Sequence, residues 1–130
     1  MTLRFLLDTN ILSEPLRPSP DARILDRIRR NQGDIAIASV VWHELWFGCR
    51  RLPKSARRTA IENYLVDVVG PSFLILPYGA READWHASER ARLTRQGLTP
   101  AFADGQIASV AVVNDLTLVT FNTVDFKAFA

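Results

Sequence analysis

Four short apolar runs recur along the 130 residues: RFLL at 4–7, IAIA at 35–38, FLIL at 73–76 and LTLVT at 116–120. Each is too short for a self-supporting helix and apolar almost throughout. A strand with one wet face alternates polar and apolar residues, whereas a strand buried on both faces reads as a continuous apolar run. Burying both faces takes helices on both sides, and the sequence supplies helical spacing between the runs. The expected fold is therefore α/β: a three-layer α/β/α sandwich, with a central parallel sheet of four or five strands covered by helices, in one domain spanning residues 1–130.

The intervening segments are punctuated accordingly. Ser13 to Arg17 reads as a short helix stopped by Pro18, and Asp21 opens another with Ile24, Leu25 and Ile28 at helical spacing, closed near Gly33. Ser39 is the expected N-cap of a helix reaching about Arg51, where Pro53 forbids continuation. Lys54 to Val69 places Ile61, Leu65 and Val68 on one face and is expected to end at Gly70-Pro71. Gly79 to Gln96 is amphipathic and stops at Gly97. Phe102 to Asn114 and a last turn over Asp125 to Ala128 complete the helices.

Composition narrows the class. The chain is 48% hydrophobic and 23% charged, as expected of a folded globular protein. A single cysteine, Cys49, excludes an internal disulfide framework and a cysteine-based zinc cluster, and suits a buried position in a reducing compartment. No apolar stretch approaches the length of a spanning helix, and the N-terminus lacks a secretory signal, so the expected location is the cytoplasm with no membrane association. The net charge is only +2, but the basic residues are 14 Arg against 2 Lys. They cluster at Arg27, Arg29 and Arg30, at Arg50 and Arg51, at Arg57 and Arg58, and at Arg90, Arg92 and Arg95. Guanidinium forks suit phosphate, although intrahelical ion pairing is an equally good reading of any one cluster.

In open parallel sheets ligands bind beyond the carboxyl ends of the strands. The first strand ends on Asp8, followed by Thr9 and Asn10; an acid there caps a turn or serves chemistry. Glu44 lies less than two turns into the helix after the second strand, among Val40, Val41, Trp42, Leu45, Trp46 and Phe47. Asp104 opens the helix before the fourth strand, which itself leads into Thr120, Asn122 and Asp125. Carboxylates gathered at one edge repel, and a hard divalent cation resolves that conflict. Magnesium, or manganese in the same oxygen-rich site, would activate water against a phosphodiester. His43 and His86 are read as structural or surface residues, since the ion supplies the base function. The helix holding Glu44 is apolar over residues 40–47 almost all round, so a neighbouring helix or another chain must cover part of it.

The blocks LLDTNILSEPLRP, ASVVWHELWFG, Asp104 through QIASVAV, and LTLVTFNTVDF resemble, in order, the motifs of PIN-domain ribonucleases of bacterial toxin-antitoxin pairs, the VapC and FitB type. That resemblance spans the chain. It implies a metal-dependent endoribonuclease acting on RNA, a homodimer, and neutralisation by a small VapB/FitA-like antitoxin through which operator DNA is contacted. It places the acidic site on Asp8, Glu44 and Asp104, with a fourth position in the Thr120 to Asp125 block. Relatives commonly carry an acid where Asn122 stands, and Asp125 is the nearest carboxylate. Thr9, Asn10, Ser39, Thr120 and Asn122 are expected around the acids as orienting groups. A catalytically weak chain that only binds RNA or an antitoxin is the alternative. An aspartyl-phosphate phosphatase would want a second Asp where Asn10 stands.

Overall fold

A computed structural model describes residues 2–129. Its centre is a four-stranded sheet, all parallel, in the order β3-β2-β1-β4. The strands are β1 (Phe5–Leu7), β2 (Ile35–Ala38), β3 (Leu74–Leu76) and β4 (Thr117–Val119). Phe5 pairs with Ile35 on one side and Thr117 on the other, so the two inner strands run nearly in step. The helices are α1 (Thr9–Leu12), α2 (Ala22–Arg30), α3 (Ser39–Arg50), α4 (Ala56–Tyr64), α5 (Gly70–Ser72), α6 (Ala80–Arg95), α7 (Phe102–Val113) and α8 (Thr123–Phe126). Among the described residues no helix is long and apolar enough to cross a membrane.

Both inner strands are buried on both faces, as their unbroken apolar runs require. All four residues of β2 are buried, and Leu6 and Leu7 of β1 are nearly inaccessible. Phe5 and Leu7 share a cleft with Ile24 and Ile28 of α2; Leu6, by strand alternation, points to the opposite face. Val41, Leu45 and Cys49 form the buried stripe of α3. These residues, with Leu65, Val69, Ile107 and Val110, make one continuous core. Cys49 is buried as a free thiol.

Several element boundaries differ from the sequence expectation, each for a local reason. The helix after β1 begins at once, at Thr9, because Asp8 caps it; only Glu14–Leu16 of the expected Ser13 to Arg17 helix is regular, as a 3-10 turn. Ser39 is not the N-cap of α3: it is the first helical residue, and Ala38 occupies the cap without a side-chain bond. The helix after Pro53 does not stop at Gly70-Pro71. It passes through a π turn over Leu65–Val69 and runs on as α5, with Pro71 at a first-turn position where its missing N–H costs nothing. The wider π turn puts Val69 rather than Val68 on the core side; Val69 is fully buried and Val68 is 47% exposed. Gly97 ends α6 in the left-handed conformation at φ 76°, as its position predicts.

Candidate active site

Parallel strands send their carboxyl ends to one edge, and each acid arrives there on a different element. Asp8 leaves β1, Glu44 rides on α3 just after β2, Asp125 rides on α8 just after β4, and Asp104 opens α7. Asp8 is buried, and its backbone N–H donates to Val119 C=O at 3.0 Å, which fixes the end of β1 against β4.

Both carboxylate oxygens of Asp8 are engaged. Its Oδ1 accepts the Thr9 N–H at 2.7 Å, the capping role. Its Oδ2 accepts the Thr120 hydroxyl at 2.8 Å across 112 positions of sequence. The carboxylate is thereby held in one orientation by β4. Thr9 in turn donates its hydroxyl to Glu44 Oε2 at 2.5 Å, linking α1 to α3. Asn10 accepts the Phe121 N–H on Oδ1 at 3.3 Å, and the Thr120 hydroxyl accepts the Asn122 N–H at 3.0 Å. Thr9, Asn10 and Thr120 therefore stitch the carboxyl edge together. The Asn122 side chain makes no cap bond to α8, and Ser39, half-buried at the start of α3, makes no hydrogen bond to any of the acids.

Asp104 and Asp125 face a common hollow of about 440 Å³ that also touches Leu98, Pro100 and Val124. Burial, and after it the negative charges of Asp125, Asp8 and Glu44 in that order, push the Asp104 carboxyl above the usual carboxylate range. Four acids from four elements thus share one electrostatic neighbourhood. They do not close a ligand cage by themselves: among the described residues no three His, Cys, Asp or Glu side chains stand together as a ready metal site. The donor set nonetheless has the chemistry a hard cation wants. It is all oxygen, and magnesium needs only one or two carboxylates, completing its shell with water and substrate phosphate.

The arginines divide. Arg29 and Arg30 both pair with Asp26, Arg23 with Asp21, Arg58 with Glu62 and Arg92 with Glu89, so helix ion pairing accounts for these. Arg17, Arg51 and Arg57 instead line a cleft of about 500 Å³ that opens on Thr9 and Glu44. Arg17 also grips both oxygens of Glu14 at 3.1 Å. Glu14 is a buried acid that sequence reasoning passed over, and its guanidinium partner explains it structurally. Neither histidine hydrogen-bonds an acid of the site, although His43 directly precedes Glu44 on α3 and the His86 ring lies against Gly105, next to Asp104. His43 is exposed and stacked with Phe47, and His86 is buried between α6 and α7 with its Nδ1 hydrogen-bonded to the Tyr78 hydroxyl at 2.9 Å.

A family model described as PIN domain matches residues 5–130. The chain is 34% identical over 128 residues to Toxin FitB of Neisseria gonorrhoeae, covering 95% of this chain and 91% of that protein. It is 34% identical over 125 residues to the tRNA(fMet)-specific endonuclease VapC of Shigella flexneri, at 96% and 91% coverage. In structure it is similar to a chain in the crystal structure of FitAcB from Neisseria gonorrhoeae, with a TM-score of 0.87 at 32% identity over 95% of this chain and 91% of that one.

Proposed function

From the premise that this chain belongs to the PIN-domain family, we infer that it is the toxin of a type II toxin-antitoxin pair, an endoribonuclease that hydrolyses RNA phosphodiester bonds. Its partner is a cognate antitoxin of the VapB/FitA kind, and operator DNA is reached through that antitoxin. The finer reading is that magnesium or manganese is held by Asp8, Glu44, Asp104 and Asp125. When bound, such an ion lowers the pKa of its water and offsets the charge that builds on the scissile phosphate.

The observation that carries this reading is the arrival of acids from separate elements at one edge: Asp8, just past β1, and Glu44 of α3 are joined through Thr9, and Asp104 of α7 and Asp125 of α8 line one hollow. Burial, then the charges of Asp125, Asp8 and Glu44, raise the Asp104 carboxyl. An edge built to concentrate negative charge is unfavourable alone and favourable around a divalent cation. The chain's own residues do the positioning. Thr120 and the Thr9 N–H orient Asp8, and the Thr9 hydroxyl orients Glu44. Asp125 supplies the fourth charge from α8 across the hollow it shares with Asp104. Arg51 and Arg57, which have no carboxylate partner among the described residues, are placed to take the backbone of the incoming strand beside Glu44.

The outer side of α3 supports an intermolecular role. Its buried stripe is Val41, Leu45 and Cys49, while Phe47 stays 61% exposed with His43 stacked on it. A second copy of the chain and the antitoxin are the expected covers. The expected site of action is the cytoplasm.

The test is cleavage by antitoxin-free protein of total RNA in magnesium or manganese. Cuts are expected that disappear with chelator and in Asp8→Asn, with a loss of at least about a hundredfold, as for removal of a group that holds or positions the catalytic charge. Cleavage that survives chelation or Asp8→Asn would remove the metal assignment. No cleavage of any RNA with either metal would leave a protein that only binds.

A further inference from the structure

The acidic edge has a second flank that the proposed reaction does not use. Phe121 directly follows Thr120, which holds Asp8, and its own N–H is held by Asn10. The backbone is tied to the site at two points while the ring stays 51% exposed. Two clefts meet at that ring. One, of about 500 Å³, runs between α2 and strands β1 and β4; the other, of about 570 Å³, follows the outside of α2. Ile24, Arg27 and Phe121 line both of them.

Arg27 is distinctive on its helix. Its neighbours Arg23, Arg29 and Arg30 pair with Asp21 and Asp26, the last two sharing Asp26, whereas Arg27 makes no ion pair among the described residues. An unpaired arginine lining the same clefts as an exposed aromatic ring suits a ligand that has both a flat π face and a negative charge. A nucleotide is such a ligand, and single-stranded RNA binders combine these two elements, stacking bases on rings and pairing phosphates with arginine.

We propose that Phe121 and Arg27 form a nucleotide subsite on the β4 side of the acidic edge, taking an unpaired RNA base on the ring and an adjoining phosphate on the guanidinium. This rests on the nuclease reading and adds to it two residues that hold the substrate strand beside the acids. The subsite lies on the opposite side of Asp8 from the cleft of Arg51 and Arg57, so the strand runs across the acids from one flank to the other. Stacking accepts every base, so the subsite selects strandedness more than sequence.

The experiment measures binding of a short unstructured oligoribonucleotide to the Asp8→Asn protein in magnesium, and cleavage in the otherwise native protein. Phe121→Ala is expected to weaken binding about 5- to 100-fold, Phe121→Leu to weaken it nearly as much, and Phe121→Trp to hold or improve it. Arg27→Ala is expected to weaken binding and to lower the salt dependence by about 0.7 in log-log slope, the loss of one phosphate contact on a single strand. In cleavage, both alanine variants should raise KM more than they lower kcat. The leucine variant keeps apolar bulk, so a loss there reports stacking rather than misfolding. Leucine or alanine binding within twofold of phenylalanine, in a protein that still cleaves RNA, would overturn the subsite and leave the nuclease standing. Unchanged RNA affinity with weakened antitoxin binding would overturn it in favour of a protein contact. Absence of cleavage by the native sequence would overturn both readings together.

Discussion

At the scale of single residues, the chemistry turns on how a carboxylate is kept where it repels its neighbours. Asp104 shows the cost: burial first, then Asp125, Asp8 and Glu44, hold its carboxyl above the ordinary value. The folded state therefore binds that proton more tightly than the unfolded chain, and ionising Asp104 works against folding. Stability from this group is highest below the unfolded value of about 3.9 and is lost as pH rises through the folded value. In metal-free protein, Asp104→Asn should accordingly melt at a higher temperature than the native sequence at pH 7, while losing cleavage. The advantage should shrink as the pH is lowered and vanish below the unfolded value of about 3.9, where the carboxyl is neutral in both states. A variant less stable by the same margin at every pH would mean that Asp104 is held by contacts rather than opposed by charge. The four acids stand out in the sequence for different reasons: Asp8 ends a strand, Glu44 and Asp104 lie early in helices, and Asp125 is the carboxylate nearest Asn122. Their supports were legible only in part: Thr9 and Thr120 follow from adjacency to strand ends, but Ser39 does not reach the acids, and no sequence signal says that Thr9 would choose Glu44 over its own neighbour Asp8. The arginine clusters were ambiguous because (i, i+3) and (i, i+4) pairing with Asp26 competes with phosphate binding in the same stretch.

At the scale of elements, the position of Asp104 depends on how α7 lies on α6, and that contact is keyed by one glycine. A Cβ at Gly105 would fall 2.1 Å from His86 Nε2 and 2.6 Å from its Cδ2, so the ring occupies the space a side chain would need. His86 has little freedom to yield. It is buried, its Nδ1 is bonded to Tyr78, and the Phe102 ring lies 4.8 Å from its centroid. Burial, then the charge of Arg90, lowers its pKa from the ordinary histidine value, consistent with a neutral packing residue. Gly105→Ala should destabilise the protein by about 1–3 kcal/mol, an overpacking cost, seen as a lower thermal midpoint. Adding His86→Ala to that variant should recover part of the loss, because it empties the contested space. Two losses that simply add would break the link between the residues. Neither Gly105 nor His86 signals this from the sequence, since their contact joins two helices 19 positions apart. What the sequence did signal was the alternation of strand and helix, because burial on both faces leaves an unbroken apolar run. It missed Val69 because a π turn adds a residue to the helical repeat, which no periodicity of 3.6 anticipates.

At the scale of the whole molecule, a small positive net charge conceals a division of labour. Carboxylates of four elements are drawn to the carboxyl edge of the sheet, while Arg17, Arg51 and Arg57 lie to one side and Arg27 to the other. On the proposed reading, such a field would draw a divalent cation to the centre and a polyanion to the flanks. That reading predicts that the cation is a folding ligand as well. Magnesium or manganese should raise the thermal midpoint with the logarithm of its concentration, by about 2.7 kcal/mol of stability at a hundred times its dissociation constant. Sodium chloride at matched ionic strength should do much less, because a diffuse ion atmosphere screens charge without coordinating it, and screens least at the buried Asp8. Asp8→Asn and Asp104→Asn should both flatten the metal response, and Glu62→Gln, whose carboxylate pairs with Arg58 on α4, should not. Differential scanning fluorimetry over a metal series distinguishes the cases. If sodium chloride matched the divalent effect, or if Glu62→Gln abolished it as well, the ion would be a general counter-charge and the converging acids would have no coordinating role.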